Sequence, residues 1–329
     1  MPFSKLIITL KIALVVWITW LTILGPKNAF FHLIHHWEIA VTMIFGSTIA
    51  GGTSVGGGAV AFPVFTKLLQ IAPHDAKVFS LAIQSIGMSA ASLTIWMTGI
   101  KVEWRIILWG SLGGFLGIFL GLSVLAPLLP PDAIKMSFTV MLGSFALTLS
   151  ILNAKIRQSN LTISDWSSRT KALFLFAGIL GGIMSGLVGN GIDILLFSVM
   201  VLLFRISEKI ATPTSVILMA INALAGLILQ VFIFNDFREP VSSYWFAAMP
   251  VVALGAPLGA ILCNLLSRQT IANLLIGLIA IELISSLLLI PLRAIVIYSS
   301  LIALMLFSGL NYWMYRKGST NTPEFGPLS

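Results

Sequence analysis

The stretch Gly51–Gly58 reads GGTSVGGG, and a second glycine-rich stretch, Ser185–Gly191, reads SGLVGNG. Each lies inside a long, almost uncharged segment, residues 39–71 and residues 173–204, respectively. Glycine weakens the interior of a helix, so both segments are predicted to break in the middle. Irregular backbone at bilayer depth is tolerated only where protein or a wet cavity covers it. Each segment is therefore predicted to be a pair of half-length helices folded into a re-entrant hairpin.

The composition predicts an all-α polytopic membrane protein. Of the 329 residues, 58% are hydrophobic and only 9% are charged, too little charge for a soluble domain of this size. Long apolar stretches recur along the chain, without the short alternating segments of a β-barrel. Besides the two hairpins, eight full transmembrane helices are predicted, at about residues 6–24, 78–98, 105–126, 134–152, 211–233, 244–265, 271–291 and 293–312.

The distribution of charge predicts how the chain is oriented. The net charge of +8 is explained by Lys and Arg at helix ends, which makes nucleic-acid binding unnecessary. Residues 153–172 form the most basic connector and are predicted to be a cytoplasmic linker. When the sides of successive connectors are alternated from this linker, both termini fall in the cytoplasm and the loop that contains Asp236 falls outside. The protein is predicted to lie in the cell (inner) membrane. The connector with His74 and Lys77 also falls outside, against the usual bias of basic residues.

Sequence echoes indicate an internal duplication. Val55-Gly56-x-Gly58 matches Val188-Gly189-x-Gly191, and the Leu-Gly-x-x-Leu-Gly segment 112–117 matches segment 254–259. Because the two hairpins enter from opposite sides, the halves are predicted to be inverted repeats, a plan that many transporters share. The predicted units are an N-terminal helix with its connector (1–38), the first repeat (39–152), the linker (153–172), the second repeat (173–291), a C-terminal helix (292–315) and a disordered tail (316–329).

With these residues in view, the chain resembles the sulfite exporter TauE/SafE family of membrane permeases over about residues 39–290. The resemblance rests on the two glycine-rich breaks, the Leu-Gly-x-x-Leu-Gly segments and the basic linker. It implies a secondary transporter of a small anion, such as sulfite or an organosulfonate, that works by alternating access. Asn190 and Asp193 depart from the glycine-rich pattern of the second break. A passive anion channel and a permease for a non-sulfur organic anion are the alternatives. An enzyme is not expected, because no nucleotide-binding or nucleophile motif is visible.

An anion at the bilayer midplane needs fixed partial charges in place of its water. The free N–H groups at the start of a half-helix supply them, and glycine lets an oxyanion approach the backbone closely. Hydroxyl and amide side chains add donors, whereas close helix packing is the alternative role for the glycines. The substrate-binding candidates are Thr53, Ser54, Gly56, Gly57, Gly58, Gln84, Ser185, Gly189, Asn190, Gly191 and Asn222.

Two carboxylates within apolar spans, Asp193 and Glu282, are candidates for coupling a proton or a cation to transport. The alternative for Asp193 is a cap on the half-helix that begins near Gly191. The alternatives for Glu282 are a pairing role with a neighbouring helix or simple protonation.

The cluster His32, His35 and His36, with Glu38 nearby, has a spacing that could bind a metal. An interfacial loop rich in aromatic residues is favoured instead, so neither a metal nor another cofactor is expected. The single cysteine, Cys263, is predicted to be a packing residue. The expected partners are therefore the lipid bilayer, a small anionic substrate and a coupling proton or cation.

Overall fold

The computed structural model describes residues 3–54, 64–154 and 159–320, and helices joined by short connections make up nearly all of this part. A single isolated β-bridge links Asn160 with Ile206. The helices are α1 (Phe3–His35), α2 (Trp37–Gly52), α3 (Pro73–Met97), α4 (Trp104–Leu120), α5 (Pro131–Asn153), α6 (Ser168–Val188), α7 (Ile192–Ser198), α8 (Glu208–Leu229), α9 (Val241–Leu265), α10 (Arg268–Leu289) and α11 (Ala294–Thr320). Five-residue π-helical turns extend α4 (Gly121–Leu125), α7 (Val199–Leu203) and α8 (Gln230–Phe234), and another (Val64–Leu68) precedes α3.

The described helices confirm the all-α polytopic class. Within residues 3–54, 64–154 and 159–320, nine helices are long and apolar enough to cross a bilayer. Eight of them are the full helices predicted from the sequence, and the ninth is α6, the first arm of the predicted second hairpin. With 21 residues, α6 is longer than the predicted half-length arm. At about 1.5 Å per residue, a helix of that length is as long as the bilayer core is thick.

The segment after the second break folds back along α6. A Cβ atom placed on Gly181 would lie 2.7 Å from the Cα atom of Ile192, so the start of α7 touches α6. At the other end of this segment, the ring of Phe204 stacks on Phe174 with 5.4 Å between centroids. The segment after the break therefore runs antiparallel to α6, and its last residues lie beside the start of α6. All of Ile192–Leu203 is buried, which places this short helix in the centre of the bundle.

The N-terminal helix lies against α9. Gly25, with φ 72° and ψ 149°, interrupts α1 just before Pro26. Before this kink, the indole N–H groups of Trp17 and Trp20 donate to the backbone carbonyls of Pro250 (2.7 Å) and Phe246 (2.9 Å) on α9. The predicted first helix is thus present, and the chain continues in helical form to the end of α1.

The polar connectors sort to two ends of the bundle. At one end, which we call the linker end, Arg105 donates to the Ile163 carbonyl of the linker (3.1 Å), and Arg268 donates to the side-chain oxygen of Asn153 (3.1 Å). At the opposite end, the His74 ring lies 3.9 Å from the Asp236 carboxylate. The connector with His74 and Lys77, whose basic residues oppose the usual cytoplasmic bias, therefore lies beside the acidic loop that contains Asp236. The sequence analysis placed both on the outer side of the membrane.

Glycines allow two helix pairs to pack almost backbone to backbone. A Cβ atom placed on Gly113 or Gly117 of α4 would lie 2.0 or 2.1 Å from a carbonyl oxygen of α6. A Cβ atom on Gly259 of α9 would lie 2.0 Å from the Thr48 carbonyl of α2. The Leu-Gly-x-x-Leu-Gly segment of each sequence half therefore packs against the helix that precedes the break of the other half.

We expect Gly117→Ala to lower the apparent melting temperature of the detergent-solubilised protein, because the added methyl group has no room against the Ile179 carbonyl. Forcing a methyl group into a packed interface costs about 1–3 kcal/mol. Gly277→Ala is the matched control, since nothing lies within 4 Å of its added Cβ atom and alanine is the better helix former. Equal melting temperatures for the two variants would contradict the role of this seam.

Candidate functional site

The second break is a tight reversal of the chain between α6 and α7. Gly189 ends α6 in the left-handed region with φ 97°, and its N–H donates to the Ser185 carbonyl at 2.8 Å. Gly191 has φ 151°, which is also strained for any residue with a side chain. Asn190 lies between them and is buried. Glycine is thus required at two of the three break positions by the backbone itself.

The first amide groups of α7 have acceptors within the protein. The Gly191 N–H donates to Asp193 Oδ1 at 2.9 Å, and the Ile192 N–H donates to Ser185 Oγ at 3.1 Å. Asp193 therefore makes the capping contact that was one of its two predicted roles. In this conformation, an anion that used these amides would have to compete with the Asp193 carboxylate and the Ser185 hydroxyl.

Asp193 is almost completely buried, with 1% of its surface exposed. Its Oδ1 atom is taken by the break, whereas Oδ2 has no hydrogen-bond partner within the described ranges. Buried polar atoms nearly always find a partner, so the second oxygen is a specific exception.

The helix α3 supplies polar contacts to the second break from the other half of the sequence. Gln84 Nε2 donates to the Gly189 carbonyl at 3.0 Å and to Ser80 Oγ at 2.7 Å. Ser80 Oγ also approaches the same carbonyl, at 3.3 Å. The structure therefore brings Gln84, together with Ser80 one turn before it on α3, to the break.

Asn222 of α8 is buried near the start of α7. Its Oδ1 atom would lie 2.9 Å from a Cβ atom placed on Gly114, and Ile192 Cδ1 would lie 2.5 Å from the same point. Asn222 Oδ1 has no hydrogen-bond partner among the described residues. Of the predicted site residues, the second break, Gln84, Asn222 and Asp193 thus fall in one region of the fold.

The first break is only partly described. Thr53 and Ser54 follow the end of α2 and are buried; Thr53 Oγ1 donates to the Ile49 carbonyl at 2.9 Å. Ser54 Oγ has no partner among the described residues. The triple glycine (Gly56, Gly57 and Gly58) lies outside the described residues. The neighbouring Gly51 serves close packing, because its Cβ atom would lie 1.9 Å from the Ala256 carbonyl.

Glu282 lies away from the break, in an ion pair between α10 and α5. Lys135 Nζ donates to Glu282 Oε1, and the two residues are 7% and 1% exposed. The sequence analysis named pairing with a neighbouring helix as one role for Glu282, but it missed Lys135. The available signal was a lysine near the start of the apolar helix that begins at Pro131, with no acidic residue in the apolar stretch that follows it.

A cavity of about 120 Å³ connects this ion pair with the second break. It opens at the end opposite the linker, between the first turns of α3 and α5 and the last turn of α6. Its wall carries two lysines, Lys77 and Lys135, together with His74 and Asp132, beside the residues that precede the break. The remaining lining residues are Pro73, Ala126, Pro131, Ile134, Leu187, Val188 and Ile290.

The histidine cluster lies at the end of α1 and directly after it. His32 and His35 belong to the last turn of the helix, which corrects the expectation of an interfacial loop. Their rings contact aromatic neighbours: His35 stacks on Phe31 at 5.4 Å, and His36 meets Tyr244 at 5.1 Å. Partial burial, and then the charges of His35 and His32, lower the pKa of His36. Within the described ranges, no group of three or more metal-ligating side chains could hold a metal ion.

The fold defines a multi-pass α-helical membrane protein, and its cavity, lined by two lysines and one aspartate, lies next to a break in the chain. The chain belongs to the sulfite exporter TauE/SafE family, whose model matches residues 39–286. Membership of this family implies a membrane transporter of anions, which is not an enzyme. No curated protein and no solved structure matches the chain.

We expect Gln84→Leu to lower the free energy of unfolding by about 1–3 kcal/mol, because the buried Gly189 carbonyl loses its shorter hydrogen bond. The measurement is unfolding in mixed micelles by a graded denaturing detergent. Thr94→Val is the matched control. It also removes a buried hydrogen bond on α3, but this bond, from Thr94 Oγ1 to the Ala90 carbonyl, lies within one turn of the helix and does not reach the break. If the two variants unfold alike, Gln84 does not hold the break.

Proposed function

We propose that the chain is a secondary transporter that moves a small anion across the cell membrane by alternating access. The anion is sulfite, an organosulfonate or another sulfur-containing anion. The observation that carries this proposal is the cavity whose wall holds Lys77 and Lys135 and which ends beside the second break. The family match supports the substrate class.

The size and charge of the cavity favour a small anion. A volume of about 120 Å³ accommodates a small oxyanion with a few of its waters, since one water needs roughly 10–15 Å³ in this measure. Positive side chains in a low-dielectric wall raise the local concentration of anions. Beyond the cavity, the break offers donors at bilayer depth, provided that the anion replaces Ser185 or Asp193 as their acceptor.

We further propose that the halves are inverted repeats with re-entrant hairpins. The reciprocal glycine seams support this, because each half packs its Leu-Gly-x-x-Leu-Gly segment on the broken helix of the other. The antiparallel arms of the second hairpin, which meet at Phe174 and Phe204, support it as well. The basic linker end is assigned to the cytoplasm, together with both termini.

The membrane potential favours one direction of movement. An inside-negative potential of about 100 mV favours export of one negative charge by about 2.3 kcal/mol. Uptake would require a coupled proton or cation, for which Asp193 is the better placed carboxylate, because Glu282 already has a lysine partner.

We expect purified protein in liposomes to perform counterflow: vesicles loaded with unlabelled sulfite should transiently accumulate labelled sulfite from outside. A carrier exchanges solute across one alternating site, whereas a passive channel cannot drive this transient accumulation. The control is Gly277→Ala, whose substitution faces open space and should leave counterflow intact. Flux that does not saturate, without counterflow, would establish the channel alternative. Counterflow with carboxylates alone would establish a permease for a non-sulfur organic anion.

We expect Asp193→Asn to flatten the pH dependence of net transport and to leave counterflow intact. The amide oxygen can still accept the Gly191 N–H, so the start of α7 is preserved, but the side chain no longer carries a proton. The comparison uses initial rates of the unmodified protein and of the Asp193→Asn variant, measured between pH 5 and pH 8. This pH range is wide enough to titrate a buried carboxyl group. A pH profile equal to that of the unmodified protein would leave Asp193 with its capping role alone.

A further inference from the structure

We infer that Lys135 is a docking group for the transported anion and that Glu282 is the resident carboxylate with which this anion competes. This inference rests on the proposed function, because it assigns a role within the same transport site. It treats the pair between α5 and α10 as an exchangeable contact, in which one ammonium group serves two alternative negative partners.

The pair is placed where an ionic contact has functional value. Ionisable residues in membrane-spanning helices are costly, and those present face the interior or a wet cavity. Lys135 does both at once, since its Nζ donates to Glu282 while the residue forms part of the cavity wall. Glu282 is buried deeper and does not line the cavity. The cavity therefore leads to Lys135, whereas Glu282 lies behind it.

The contact is also incompletely satisfied on the carboxylate side. Glu282 Oε1 accepts from Lys135, whereas Oε2 has no hydrogen-bond partner among the described residues. A buried ion pair repays its desolvation only when further hydrogen bonds satisfy the remaining lone pairs. A pair that served stability alone would be expected to satisfy both oxygens, so the open oxygen favours a contact that exchanges.

A second lysine faces the same space from α3. Lys77 lines the cavity, and its backbone carbonyl would lie 3.1 Å from a Cβ atom placed on Gly189. The first turn of α3 thus joins the cavity wall to the break. Two ammonium groups from different helices suit a compact oxyanion with several equivalent oxygens, such as sulfite or the headgroup of a sulfonate, because lysine binds as a flexible point charge. Asp132 is the competing acid in the wall, but it is partly exposed and lies in the first turn of α5, where the helix dipole stabilises its charge.

The helix contact does not depend on the ion pair alone. A second contact lies beside it: the hydroxyl groups of Thr139 on α5 and Ser286 on α10, each one turn along its helix from a member of the pair, lie 3.0 Å apart and are hydrogen-bonded. This second contact keeps the two helices together while Lys135 changes partner. The exchange therefore needs a movement of the lysine side chain only.

The test separates docking from structural pairing with two double variants and one single variant, the single variant being made also on a Lys135→Met background. Lys135→Glu with Glu282→Lys keeps an ion pair between the helices but puts a carboxylate in the cavity wall. Lys135→Met with Glu282→Leu removes both charges and fills the space with apolar side chains. Glu282→Gln keeps the hydrogen-bond acceptor and removes only the competing charge.

We expect both double variants to insert and to show a KM for sulfite counterflow raised about tenfold or more, the effect of losing one charge-assisted hydrogen bond. Glu282→Gln should lower KM, and this gain should vanish when Lys135 is methionine. The thermal stability of the apolar double variant provides the control for folding.

Wild-type KM in either double variant would overturn the inference, and so would failure of both to insert, because the pair would then be structural. An unchanged or raised KM in Glu282→Gln would exclude competition. These results are distinct from a failure of the proposed function: in that case the unmodified protein itself would show no counterflow with any anion tested.

Discussion

The structure depends on one constraint, that a chain broken inside a packed helical bundle must find protein partners for its buried backbone polar groups. At the second break, residues of the same hairpin take the amide groups, and Gln84 from the other half of the sequence donates to the Gly189 carbonyl. The break is thus completed by a helix more than a hundred residues away in the chain. A movement of α3 relative to α6 must alter these contacts, which couples the geometry of the break to the arrangement of the two halves.

Close glycine packing provides the surfaces on which such a movement can occur. Between helices in lipid, association relies on van der Waals contact and hydrogen bonds, because lipid is as apolar as the helix surface. The α4–α6 and α2–α9 seams bring backbones together with no side chain between them. Seams of this kind have few interlocking side chains that would resist sliding. Each seam also joins a helix that leads into a break to a continuous helix.

Local pattern was sufficient to predict the helical class, the interruption of the helix at the second break and several of the residues that lie beside it. Strained glycines, a cap within the first turn of α7 and an amide on one helix face are all properties of short stretches of sequence. The length of α6 was underestimated because the charged first turn, with Arg169 and Lys171, was assigned to the linker, although a capping serine precedes it. The partner of Glu282 was missed because it lies 147 residues away, and hydropathy does not show which helices become neighbours.

An anion carrier has to reconcile two electrostatic demands. It needs positive charge within a low-dielectric wall to attract its substrate, yet an unpaired ammonium group at that depth destabilises the protein whenever the site is empty. A resident carboxylate resolves this conflict, since it neutralises the lysine in the empty state and yields it to the substrate. The same carboxylate limits affinity, because the substrate gains only the difference between two ionic contacts. Weak net binding is what a carrier requires, because an anion held too firmly would not leave on the other side of the membrane.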